Sequence, residues 1–139
     1  MQKVHLTRTK RLQSGHLWIF SNEVRESLKL YEPGSLVEVL DLHDAFIGIG
    51  YINPNSLIAV RLLTRKKESI DREFLRQRIN AAISLRKKLI KGRDAYRIMY
   101  SEGDYLPGLI ADIYGTCVVL QFLTAGMEAM KDVVIGLFD

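Results

Sequence analysis

Between residues 10 and 23 the chain reads Lys10-Arg11-Leu12-Gln13-Ser14-Gly15-His16-Leu17-Trp18-Ile19-Phe20-Ser21-Asn22-Glu23. Two adjacent cations are followed by a glycine–histidine turn and the only tryptophan of the chain. That combination suits contact with a nucleic acid. Cations meet phosphates, a glycine turn lets backbone approach closely, and an aromatic ring can stack on a base. No acid precedes Glu23, so Lys3, Arg8, Lys10 and Arg11 stand unopposed in sequence. The alternative is a solvated basic N-terminus with Trp18 in the core.

Other chemistry is sparse. Gly48-Ile49-Gly50 lacks the third glycine and the following helix of a dinucleotide loop, and no phosphate-binding Gly-Lys-Ser/Thr loop exists. His5, His16 and His43 lack metal-ligand spacing, so no metal site is expected. The single cysteine, Cys117, excludes an internal disulfide and a cysteine-cluster metal site. Its Cys-Val-Val-Leu context predicts a buried structural thiol rather than a nucleophile. Glu102 and Asp104 place two carboxylates near a turn, where turn chemistry competes with an acid–base role.

With 139 residues, 47% hydrophobic and 26% charged, the chain is one ordinary domain or two small ones. No apolar run matches a membrane span and no signal-peptide core opens the chain, so a cytoplasmic location is expected. The net charge of +4 hides a segregation. Residues 1–22 carry +4, 23–60 carry −4, 61–93 carry +9 and 94–139 carry −5. Two basic blocks that fold onto one face would give the footprint of an RNA or DNA binder; a solvated helix face is the other reading of the second block.

Three strands are predicted over Leu36–Asp41, Ala45–Tyr51 and Leu57–Leu63, behind a Pro33-Gly34 turn. Two glycines on one strand face predict a bend or close backbone packing in a compact barrel. Residues 71–91 form a helix capped by Asp71 and ended by Gly92, with Leu75, Ile79, Ala82, Leu85 and Leu89 on its apolar stripe. Lys87, Lys88 and Lys91 suit its C-terminal dipole, which leaves Arg72, Arg76, Arg78 and Arg86 without a local reason. Tyr96–Tyr100 is a strand, Leu109–Tyr114 and Cys117–Phe122 form a hairpin about Gly115-Thr116, and Met127, Met130, Val134 and Leu137 return to helical spacing. The chain stops without a helix-ending signal, which reads as truncation.

Three stretches together resemble a known family. They are the opening motif from Lys10 to Glu23, Pro33-Gly34 through Gly48-Ile49-Gly50-Tyr51-Ile52-Asn53-Pro54-Asn55-Ser56 to Arg61-Leu62-Leu63, and Glu102-Gly103-Asp104-Tyr105-Leu106-Pro107-Gly108-Leu109-Ile110-Ala111-Asp112-Ile113-Tyr114-Gly115. In this order they resemble the N-terminal portion of the S-adenosylmethionine-dependent ribosomal RNA methyltransferases that begin with a PUA domain. The nearest type is the large-subunit rRNA cytosine-5 methyltransferase.

The resemblance implies a mixed β and α+β chain. Residues 1–70 would be a PUA-like RNA-binding pseudobarrel and residues 71–139 a small α+β central domain. The catalytic Rossmann-like domain, with its cofactor loop and catalytic cysteine, would be absent. The fragment itself would then hold ribosomal RNA and carry no catalytic residue and no cofactor, with S-adenosylmethionine belonging to the longer parent. Lys10, Arg11, His16, Trp18, Asn53, Ser56 and Arg61 are the candidate RNA contacts, and Trp18 and Arg61 have a structural alternative. Glu102 and Asp104 are candidates for the mouth of the parent's active site, with turn stabilisation as the other reading. Neither a membrane nor DNA is expected as partner, and a homo-oligomer stays open. Family members usually carry Pro where this chain has Leu17, which implies a less rigid turn, and often Asp-Arg-Tyr where it has Asp112-Ile113-Tyr114. Two rival readings remain: a stand-alone RNA-binding adaptor, and a protein-interaction module whose basic helix docks on an acidic partner.

Overall fold

A computed structural model describes residues 1–139 as two compact units, Met1–Glu68 and Ser69–Asp139. No helix is long and apolar enough to cross a membrane.

The first unit holds β1 (Gln2–His5), a single-turn α1 (Lys10–Gln13), β2 (Trp18–Phe20), β3 (Leu36–Leu40), β4 (Phe46–Ile52) and β5 (Ile58–Thr64). The three strands expected from alternation lie within about a residue of their predicted bounds. β1 and β2 escaped prediction because they are too short to show a period. The sheet order is β1-β3-β4-β5-β2, with only the β1–β3 pair parallel. Its two edges meet beyond their strands. Leu6 bridges Val24, and the Thr7 amide donates to the Glu23 carbonyl at 2.9 Å. The sheet thereby closes on a core of Val4, Leu6, Ile19, Val37, Ile52 and Val60, and little edge is left open to foreign strands.

The paired glycines of β4 have a steric cause. A Cβ on Gly48 would lie 2.5 Å from the Thr64 carbonyl oxygen, and one on Gly50 would collide with that of Arg61. The β4–β5 pairing shifts register between Ile49 and Gly50, an irregularity that bends the strand.

His5 ties three segments of this closure. Its Nδ1 lies 2.5 Å from Glu26 Oε2, its Nε2 lies 2.6 Å from Asp44 Oδ1, and its amide donates to Glu26 Oε1 at 2.8 Å. Only the imidazolium can donate from both ring nitrogens. The hydrogen bonds to Glu26 and then Asp44 raise the His5 pKa above its ordinary 6.5 against the cost of burial. Burial pushes Glu26 up, but the His5 amide and ring outweigh it and hold Glu26 below its ordinary 4.5. The His5 contribution is therefore complete below about pH 6.5 and fades as pH rises through the elevated value. The Glu26 contribution is complete above about pH 4.5 and fades as pH falls through the depressed one. Urea midpoints should peak between these limits, and His5→Gln should remove the decline on the alkaline side. A midpoint in the parent that stays flat from the peak into alkaline pH would contradict the clamp.

The second unit holds α2 (Arg72–Leu89), β6 (Ala95–Tyr100), β7 (Leu109–Tyr114), β8 (Cys117–Phe122), α3 (Ala125–Ala129) and α4 (Lys131–Leu137). The strands form an antiparallel sheet in the order β6-β7-β8, and α2 packs on β6 and α4. Asp71 caps α2 by accepting from the Phe74 amide at 3.0 Å. The buried face runs Leu75, Ile79 and Ala82 and continues into Arg86, whose side chain is largely buried. At 100° per residue Leu85 falls to the side of that stripe and Leu89 is the last residue of the helix, and both are exposed, contrary to the sequence expectation. Cys117 is also corrected: it sits on β8, an edge strand, and is exposed.

Three of the four unexplained arginines have structural partners. Arg76 pairs with Glu73 one turn back. Arg78 donates to the Tyr105 carbonyl at 2.7 Å and lies 4.5 Å over the Phe74 ring. Arg86 grips both Asp104 oxygens, at 2.5 and 2.8 Å.

Candidate nucleic-acid interface

The opening motif folds into α1, a turn and β2. Leu12 anchors α1 in the core, which turns its neighbours Lys10 and Arg11 outward. The Gly15 amide donates to the Leu12 carbonyl and the His16 amide to the Arg11 carbonyl, each at 3.1 Å, and these bonds end the helix. Gly15 has φ +102 with open space around it, so backbone conformation rather than crowding requires glycine there. Arg65, just beyond β5, donates to the His16 carbonyl at 3.0 Å and fixes the turn from the strand that neighbours β2.

Trp18 opens β2 opposite Arg61 of β5. Strand alternation buries Ile19 and turns Trp18 outward, leaving it 38% exposed with the Arg61 guanidinium 5.1 Å from its ring centre. The core alternative for Trp18 is therefore corrected. The stacked pair presents an aromatic face and a cation together, the combination that holds unpaired bases.

Arg11 is not an unopposed cation. Its guanidinium pairs with Glu23 Oε1 at 2.7 Å and lies 4.5 Å over the Phe20 ring. The same carboxylate oxygen accepts from the Phe20 amide at 2.9 Å. Lys10 and His16 are exposed. Beside Arg11 opens a cleft of about 560 Å³, lined by Arg8, Arg11, Phe20, Ser21, Asn22, Glu23 and Leu57. Its volume falls in the range that takes a small ligand. Arg8, Asn22 and Leu57 were not among the RNA contacts expected from sequence. Adjacency to the motif was the only signal for Arg8 and Asn22, and Leu57 had none: it reaches the cleft because the Ser21 amide donates to its carbonyl at 2.8 Å.

Asn53 and Ser56 take part in the turn between β4 and β5. Asn53 Oδ1 accepts from the Asn55 amide at 3.0 Å and Ser56 Oγ from the Ile58 amide at 3.2 Å, which accounts for both within the β4–β5 turn. In the second unit, Asp104 is buried and accepts from Arg86 and, at 2.7 Å, from the Tyr100 amide. Glu102 accepts from Ser101 Oγ at 2.7 Å. Asp104 thus joins the turn after β6 to α2 through Arg86.

Residues 3–65 match the family model of a PUA-like domain. The first unit carries a PUA-like fold. Along nearly its whole length the chain is also similar to a ribosomal RNA large subunit methyltransferase I from Alteromonas mediterranea, at 38% identity over 132 residues, covering 93% of this chain and 33% of that one. Two solved structures superpose with a TM-score of 0.85 at 22% identity, each covering 99% of this chain and 37% of the other. One is described as a methyltransferase complexed with SAH, the other as a SAM-dependent methyltransferase from Streptococcus mutans. The chain spans about a third of the length of the curated relatives it matches. α1, the Trp18–Arg61 stack and the cleft all lie in the PUA-like domain.

Proposed function

We propose that this chain is the RNA-recognition N-terminal part of a ribosomal RNA methyltransferase, with residues 1–70 binding RNA and residues 71–139 forming a central α+β domain. The Trp18–Arg61 stack with its exposed ring, on a PUA-like domain, is the observation that carries this reading. The whole protein would act in the cytoplasm and transfer a methyl group from S-adenosylmethionine to an rRNA base, with cytosine C5 as the proposed acceptor. This chain would hold substrate. Its own residues do not fit the cofactor: Gly48 and Gly50 face the carbonyls of the neighbouring strand, and α2 opens on an aspartate cap without a glycine loop. Calorimetric titration with S-adenosylmethionine should give no specific heat. Saturable micromolar binding, about −8 kcal/mol, would overturn that part of the reading.

The RNA reading is tested by salt. Binding of the chain to an rRNA fragment should weaken steeply as salt rises, and the double variant Lys10→Ala, Arg61→Ala should flatten the slope by about one unit for each phosphate left unneutralised. Arg11 is left out of this pair because its link to Glu23 and Phe20 would mix a folding defect into the result. Affinity indifferent to salt, or a slope unchanged in the double variant, would count against this surface.

A further inference from the structure

We propose that the open sheet face of the second unit is a second RNA-contacting surface, on which unpaired bases stack against Tyr100 and Tyr114 on either side of Arg97. The inference rests on the reading of the chain as an RNA binder. The strand register builds the face. Ala95 pairs with Tyr114, Arg97 with Asp112 and Tyr100 with Ile110, and these residues share the side of the sheet opposite the core face of Met99, Ala111 and Leu109. Tyr100 and Tyr114 close β6 and β7, and their rings are 54% and 57% exposed on this face.

Arg97 lies between them. It forks onto the buried Asp112 carboxylate at 2.7 and 3.2 Å, and its guanidinium lies 5.4 Å from the Tyr100 ring centre. Asp112 thereby fixes a planar guanidinium in the row of rings. Planar guanidinium and phenol groups in one row are the surface that splayed single-stranded bases use. Four residues of β7 separate the two tyrosine positions, about 13 Å at strand rise, too far for one base to bridge and suited to separate bases.

Charge selects the partner. The loop entering β6 carries Lys91 and Arg93, both exposed, and the Gly115 amide donates to the Asp94 carbonyl at 2.7 Å, which brings that loop beside Tyr114. Lys91 and Arg93 flank a single acid, Asp94, in that loop, and Asp112 is committed to Arg97. Phosphates therefore have cations at the Tyr114 end of the row. A protein partner would call for a broader apolar centre than Val119 and the half-buried Ile110 supply.

The test uses the full chain and a short single-stranded oligoribonucleotide of mixed sequence carrying a photoreactive uridine. Crosslinks should map to peptides containing Tyr100 or Tyr114. Tyr100→Ala with Tyr114→Ala should weaken binding at least about fivefold, whereas the paired Tyr→Phe variant, which keeps the rings, should bind as the parent does. Crosslinks confined to residues 1–68, with affinity unchanged in the alanine pair, would remove the second surface and leave the PUA-like site standing. Absence of RNA binding in the parent chain would remove both. Self-association that the same alanine pair abolishes, in place of RNA binding, would also overturn the proposal. The phenylalanine pair and the crosslink map keep the test decisive where the alanine pair folds poorly.

Discussion

Asp104→Ala is expected to cost the second unit about 3–5 kcal/mol of stability. The carboxylate is buried and accepts three hydrogen bonds, two from Arg86 and one from the Tyr100 amide. Its removal leaves a largely buried guanidinium and a backbone donor without their acceptor. The segment it organises is itself conformationally demanding: Ser101 and Tyr105 adopt φ of 45 and 64, which non-glycine residues hold only when their surroundings enforce it. Ser101 Oγ accepts from the Gly108 amide at 2.8 Å and the Tyr105 carbonyl accepts from Arg78, so the whole connection from β6 to β7 is hydrogen-bonded as one piece. Urea unfolding of the chain measures the loss. Replacing both partners, Arg86→Met with Asp104→Leu, should recover much of it, because the penalty comes from the orphaned charge rather than from the missing pair. A single-variant loss below about 1 kcal/mol would show that water reaches the site and that the loop is held by other means.

The sequence was readable wherever one local rule dominated. Asp71 announced a helix cap because its carboxylate needs only the amide of Phe74, three residues away. The hairpin about Gly115 was legible for the same reason, since glycine takes φ +63 there. Readings failed where long-range partners decided. Arg11 looked unopposed until the fold brought Glu23 against it, twelve residues on. Leu85 and Leu89 looked buried because the apolar stripe was expected to stay apolar, whereas Arg86 takes its inward place to meet Asp104. Cys117 looked buried because an apolar run suggests an inner strand, and sequence does not say which strand lies outermost. The cleft beside α1 was invisible for a related reason. Its walls are Arg8 and Arg11 before the turn, Phe20 to Glu23 after it, and Leu57 from a distant turn.

Trp18→Ala should lower RNA affinity by about 1–3 kcal/mol, roughly fivefold to 150-fold, while leaving the fold largely intact. The ring is 38% exposed and stands opposite Arg61 on the outward side of β2, so its loss opens no sealed cavity. Ile19→Ala is the contrasting variant. Ile19 is the buried neighbour, and its truncation should cost about 2–5 kcal/mol of stability. The salt slope separates stacking from charge. Trp18→Ala removes no cation and should keep the parent slope while shifting the whole line to weaker binding, whereas Lys10→Ala should tilt it. Trp18→Phe, which keeps a smaller ring beside Arg61, should fall between parent and alanine. Were Trp18→Ala to unfold as readily as Ile19→Ala, the ring would be acting as core. Were it to fold well and bind RNA as tightly as the parent, the Trp18–Arg61 stack would be only a surface ornament of the barrel, and the RNA site would have to lie elsewhere on the PUA-like domain.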